Sequence, residues 1–221
     1  MVNDGVTREG MTRRTFVKVG VGAVGVLALG GAGVKAATWA PVPELARDSM
    51  GDGMRKVLVT YATKSGSAVE IAERIGKQLA DAGAHVDVKP ANDAPDAAAY
   101  DAIVVGSGVR VGNWHAPAKA WVTANAAALK SMPVAFFTVG MTITDPAKAD
   151  EVRAYTDPLI KESGVQPVDV GLFAGWFVPK KFSFLERTIM KAMKTPEGDH
   201  RDFAAVEAWA ARNAKPLGLG E

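Results

Sequence analysis

The chain has 221 residues, 48% of them hydrophobic, with 26 Lys+Arg against 24 Asp+Glu, a formal net charge of +2 and no cysteine. That length suits one domain with a sizeable core, and the lack of thiols excludes disulfides, iron–sulfur clusters and thiol chemistry, so any redox work needs a borrowed cofactor. Residues 1–36 hold five of the basic and two of the acidic groups, leaving 21 against 22 in the remainder, a balance that speaks against nucleic acid as a partner.

The first segment reads as an export signal. Arg8, Arg13, Arg14 and Lys18 form a charged region, and a short apolar stretch follows that holds six glycines within Val19–Val34. Each glycine costs a helix about 1 kcal/mol against alanine, so folding alone does not explain the composition. The stretch is too short for the roughly 20 residues of a bilayer span, and Val34-Lys35-Ala36 offers a small-residue cleavage site. The run Thr12-Arg13-Arg14-Thr15-Phe16-Val17-Lys18 resembles the twin-arginine (Tat) translocation motif. That resemblance implies recognition by the Tat translocon and an extracytoplasmic, periplasmic or membrane-associated mature protein; an uncleaved anchor would leave the domain on the same side. With no cysteine after the apolar stretch, lipoprotein attachment is excluded.

Residues 37–54, with Pro41, Pro43, Gly51 and Gly53, read as a linker, and the domain is expected over 55–216. Residues 56–62 (KVLVTYA) are a β-branched strand. From Ser67 to Ala82 a helix is predicted, with Ala68, Ile71, Ala72, Ile75 and Leu79 on one face and Gly83 as its stop. Strands follow at 85–89 and 100–106, then a helix near 117–129, a strand at 133–140, a polar helix over about 146–162 and a strand at 167–175. Strands alternating with helices imply right-handed parallel crossovers, hence an α/β doubly wound domain with helices on both faces. In such sheets ligands bind at the carboxyl ends of the strands, where the strand order reverses.

The loop after the first strand, Thr63-Lys64-Ser65-Gly66-Ser67-Ala68, joins hydroxyls and a glycine to the start of the best helix. Those groups can surround a phosphate, or they can simply cap the helix. It is neither a Walker loop nor a three-glycine dinucleotide loop. The loop resembles the phosphate loop of the flavodoxin superfamily, Ser/Thr-x-Thr/Ser-Gly-x-Thr: Thr63, Ser65 and Gly66 match and Ala68 replaces the final Thr. One hydroxyl contact to phosphate, worth about 1 kcal/mol, is thereby missing. The resemblance implies flavin mononucleotide (FMN) as cofactor and a five-stranded parallel sheet of order 2-1-3-4-5.

A narrower resemblance covers most of the remaining chain. The stretches YDAIVVGSGVRVGNWHAPAKAWV and SFLERTIMKAMKTPEGDHRDFAAVEAWA are similar to the flavodoxin-like, menaquinone-dependent protoporphyrinogen IX dehydrogenase family. It implies that Ser107, Gly108, Val109, Arg110, Val111, Gly112 and Asn113 form one loop beside the isoalloxazine ring, and Val139, Gly140, Met141 and Thr142 another. Glycines there let the backbone approach the ring and set its hydrogen bonds. Arg110 then carries positive charge near the ring or near a substrate carboxylate, or is a surface ion pair. Trp114 covers the ring or packs on the helix it introduces. His115, with only His85 and His200 elsewhere, reads as a capping or exposed residue, and no metal site is expected.

The family carries an insertion at about 176–198. Within 180–194, Phe182, Leu185, Ile189 and Met193 form a helical stripe among Lys181, Arg187, Lys191 and Lys194. This is either packing on the sheet edge or contact with an anionic membrane surface or acidic partner. Asp199 and Asp202 have the spacing of a helix cap. No acid–base constellation is legible, so no catalytic residue is assigned. The expected function is an exported FMN oxidoreductase passing electrons from an organic donor to a quinone or other carrier. A flavodoxin-type shuttle without catalysis is the alternative, and a domain that has lost its flavin, hinted at only by Ala68, is a third reading.

Overall fold

The computed structural model describes residues 43–110 and 112–220. The expected signal segment, the first part of the expected linker and Val111 lie outside the described residues. In chain order the main elements are β1 (Asp48–Met50), β2 (Lys56–Ala62), α1 (Ser67–Asp81), β3 (His85–Pro90), β4 (Ala102–Arg110), β5 (Asn113–Trp114), α2 (Ala116–Ala124) and α3 (Ala126–Leu129). There follow β6 (Val134–Gly140), α4 (Ala149–Arg153), α5 (Asp157–Ser163), β7 (Val170–Ala174), β8 (Trp176–Phe177), α6 (Phe184–Ala192), β9 (Gly198–Asp199) and α7 (Phe203–Ala214).

The sheet order is β1-β3-β2-β4-β6-β7, and all neighbours from β3 to β7 are parallel. Counting only those five parallel strands, the order is the expected 2-1-3-4-5. Side chains alternate across it, as the two-residue period of a strand requires. Val57, Val59 and Tyr61 of β2, with Phe137 and Val139 of β6, face α1 and α7. Leu58 of β2, Ile103 and Val105 of β4, and Phe136 of β6 face Trp121, Val122 and Leu129 on the other side. Both faces are covered, which is why these strands read as continuous apolar runs.

Helix α1 forms because its apolar residues recur on one face, and Ile71, Ala72, Ile75 and Leu79 are fully buried. It stops where Gly83 takes a left-handed conformation, φ +94°; Gly83 N–H donates to Ala80 O and Ala84 N–H to Leu79 O.

Three expectations need correction. Residues 48–50 of the expected linker are an edge strand, antiparallel to β3; three residues are too few to show a period. The helix expected over 117–129 breaks at Asn125, whose Nδ2 donates to Trp121 O and so competes with the regular ladder. The helix expected over 146–162 is two helices, since Pro158 lacks an amide proton and sits in the first turn of α5. The insertion is a small unit of its own: β8 and β9 pair antiparallel, and α6 lies between them in sequence. Among the described residues no helix is long and apolar enough to cross a membrane.

Candidate functional site

Strands β2, β4 and β6 are neighbours, so the segments that leave their carboxyl ends converge. The first is Thr63–Gly66 and the start of α1. Thr63 Oγ1 accepts from Gly66 N–H at 3.1 Å, and Gly66 is left-handed at φ +90°, a conformation that suits glycine alone. No side chain caps α1. Val69 N–H turns back to Gly66 O at 3.2 Å, so the amides left to an external anion are those of Ser67 and Ala68, with the helix dipole behind them. Of the predicted residues, Ser67 and Ala68 are buried, and Ala68 packs in the core beneath the loop. The place of the expected final hydroxyl is filled by a methyl group.

The second segment differs from the loop predicted for it. Residues Ser107 to Arg110 continue β4, and the chain turns back through Gly112, φ +71°, into β5, with Val109 opposite Trp114 and Arg110 opposite Asn113. The glycines that suggested a loop are thus a hairpin extension of the strand. Ser107 is buried and holds the base of this hairpin: its Oγ donates to Gly108 O at 2.8 Å and accepts from His115 N–H at 2.9 Å. Val111 lies outside the described residues. Of the third segment, Val139 is buried in the core and can offer a ligand only its backbone; Gly140 ends β6, and Met141 and Thr142 open a 3-10 turn. A β-carbon placed on Gly140 would stand 3.8 Å from Val109 Cβ, so the second and third segments adjoin.

Trp114 belongs to the core. It packs at 5.4 Å on Phe136, and its Nε1 donates to Thr138 Oγ1 at 2.9 Å, so it does not cover a ligand. His115 neither caps α2 with its ring nor lies fully exposed: it is half-buried, close enough that a β-carbon on Gly108 would meet its Nε2 at 3.3 Å. Burial, followed by the charges of Arg110 and Lys64, lowers its pKa. The imidazole is therefore neutral near pH 7. Among the described residues no group of three or more His, Asp or Glu could hold a metal.

Sequence reasoning missed Glu186. It lies on α6, where Ser183 caps the helix in a reciprocal capping box: Glu186 Oε2 accepts from Ser183 N–H at 2.8 Å and from its hydroxyl. Its other oxygen meets Lys64 Nζ at 3.1 Å and Arg110 Nη1 at 2.7 Å. Burial alone would raise this carboxyl, but the Ser183 bonds, Lys64 and Arg110 outweigh it and hold the pKa at about 2. One carboxylate thus ties the insertion to both the first and second segments, and Arg110 is more than a plain surface pair. The S-x-x-E pattern was the available signal for the cap; its two cationic partners come from elsewhere in the fold. A depression of about 470 Å³ between Arg47, Asp93 and Tyr100 borders the end of β3 and touches none of the three segments, so it is separate from this site.

Uncapped α1 amides, the surrounding hydroxyls and the close-approach glycines fit a phosphate joined to a planar ring, as FMN is. A flavodoxin-domain family profile matches residues 58–203. The chain is similar to the protoporphyrinogen IX dehydrogenases [quinone] of Escherichia coli (strain K12), 26% identical over 66% of this chain and 83% of that one, and of Leishmania major, 29% identical over 71% and 73%. A solved flavodoxin from the domain Archaea aligns with TM-score 0.49 at 18% identity, covering 73% of this chain and 98% of its own. With the profile spanning most of the described residues and the strands in this order, the chain belongs to the flavodoxin-domain family, and its cofactor is FMN.

Proposed function

We propose that this protein is an exported FMN-dependent oxidoreductase, related to the quinone-linked protoporphyrinogen IX dehydrogenases, that takes electrons from a reduced organic donor and passes them to a quinone or another carrier. The observation that carries the reading is the convergence of the uncapped start of α1 with the ends of β4 and β6, closed over by the insertion through Glu186. Bound FMN supplies the two-electron chemistry, so the protein need provide little acid or base. What the chain's own residues do is hold and shape. The α1 amides and the hydroxyls of Thr63, Ser65 and Ser67 bind phosphate; the backbone of Gly108, Gly112 and Gly140 approaches the ring; Lys64 and Arg110, tied to Glu186, keep the segments in place. Oxidation of the donor releases two electrons and two protons, and a quinone takes up both.

Export favours a donor other than protoporphyrinogen, because haem is made in the cytoplasm. The twin-arginine route, which carries cargo already folded, suits a cofactor held without covalent bonds. Substituting Lys for both Arg13 and Arg14 is expected to leave the protein inside the cell, as fractionation reads; undiminished export would remove the Tat assignment. For the activity, purified protein is expected to be yellow, and stopped-flow spectra of the reduced protein should show rapid reoxidation by a menaquinone analogue. Slow reoxidation by quinone with fast reoxidation by an acceptor protein would instead identify a flavodoxin-type shuttle. A colourless protein that takes up no added flavin overturns both.

A further inference from the structure

We propose that the indole N–H of Trp176 is a phosphate donor at the FMN site, taking the place of the hydroxyl that Ala68 lacks. The inference rests on FMN as the ligand of this site and adds a residue that the phosphate-loop pattern does not contain. Trp176 opens the insertion, directly after β7, and the fold sets it against the start of α1. A β-carbon on Gly66 would lie 3.3 Å from Trp176 Cζ2, and one on Gly175 would lie 3.4 Å from Ser67 Oγ. The benzo edge of the indole, Cζ2 and Cη2, therefore borders Gly66 at the start of α1, which no side chain caps, and Nε1 lies two bonds from Cζ2 on the same long side of the ring.

Trp176 Nε1 is buried and has no hydrogen-bond partner. An indole nitrogen can only donate, and leaving such a donor buried and unpaired is unfavourable. It needs an acceptor, and a phosphate oxygen is an acceptor only. The same ring carries two cations: Lys181 Nζ stands 4.1 Å from its centroid and Arg201 Cζ 4.2 Å. Arg201 has a side chain only 6% exposed; its Nη1 lies 3.1 Å from Glu70 Oε2 without hydrogen-bond alignment. Arg201 is already held by Asp199, to which its Nε and Nη2 donate at 2.8 and 2.6 Å, so it is Lys181 that can offer charge to an anion beside the indole donor.

The test compares two flavins. In the full chain, Trp176→Phe retains the packing and removes the donor. It is expected to weaken FMN binding about five- to tenfold while leaving the affinity for riboflavin, which has no phosphate, unchanged. In flavin-free protein, the ¹H–¹⁵N resonance of the Trp176 indole, assigned through the same variant, should shift on titration with inorganic phosphate. Equal losses for FMN and riboflavin would reduce Trp176 to packing, and unchanged FMN affinity or an indole resonance indifferent to phosphate would mean that water satisfies the donor; each overturns the proposal. Wild-type protein that binds neither flavin overturns the cofactor reading itself, a separate result.

Discussion

Gly106, in the middle of β4, has no side chain because Phe137 of the neighbouring strand occupies the space. A β-carbon there would stand 1.9 Å from Phe137 Cζ. That ring is fully buried and contacts Phe173 at a centroid distance of 6.2 Å, so it has little room to yield. Gly106→Ala is expected to destabilise the protein by about 1–3 kcal/mol through overpacking, seen as a lower urea midpoint with an unchanged slope. An unchanged midpoint would mean that the ring yields freely. Neighbouring Ser107 shows the same dependence on surroundings: its hydroxyl reads as a possible ligand, yet it is committed to Gly108 O and His115 N–H at the base of the hairpin.

At the scale of elements, α6 behaves unlike the other helices. Of the expected stripe, Leu185, Ile189 and Met193 are 66%, 46% and 68% exposed, as is neighbouring Phe184 at 69%, whereas Phe182, ahead of the helix, packs edge-on against Phe177 at 5.3 Å; the stripe is therefore split, with its helical part facing outward. Only Glu186 of this helix is buried, and its carboxylate holds α6 to the site. Lys180, Lys181, Arg187, Lys191 and Lys194 share this stretch of chain, with Lys181 resting on Trp176 and Lys191 paired to Glu197, a basic and apolar composition that suits an anionic bilayer surface. Replacing Leu185 and Ile189 with Ser is therefore expected to change stability by no more than about 0.5 kcal/mol, since neither is buried. We propose that the unaltered chain co-sediments with phosphatidylglycerol vesicles and that the same change abolishes this; an unaltered chain that stays in the supernatant removes the membrane reading. Retained sedimentation on anionic vesicles would place the contact elsewhere. The helix cap at the start of α7 shows how far local sequence reaches: Asp202 Oδ1 accepts from Ala205 N–H as its spacing suggests, whereas Asp199, at the end of β9, pairs with Arg201.

Across the whole molecule, two carboxylates couple stability to pH. Burial would raise Asp87, but hydrogen bonds from Lys89, Ser49 and Tyr100 prevail and hold it at about 2, as Ser183, Lys64 and Arg110 hold Glu186. Both values are depressed on folding, so the unfolded chain binds more protons at low pH. Their stabilisation is complete above the ordinary carboxylate range and is lost as pH falls from about 4.5 through about 2, by up to roughly 2–3 kcal/mol for each group. Urea midpoints measured from pH 7 to pH 3 should fall steeply below pH 4.5, and Asp87→Asn with Glu186→Gln should flatten that fall; an equally steep decline in the double variant would move the coupling to other groups. The sequence by itself determined the class of sheet, its strand order through resemblance, and the place of the glycine-bearing loop ahead of α1, because apolar period and glycine placement are local properties of the chain. Only the tertiary structure decided that β4 runs on into a hairpin, that Trp114 is core, that α6 leaves its apolar face outward, and that Glu186 and Trp176 meet the loop ahead of α1 at Lys64 and Gly66. Each of these depends on contacts between residues far apart in the chain, and no local pattern encodes which distant side chain will fill a given space or neutralise a given charge.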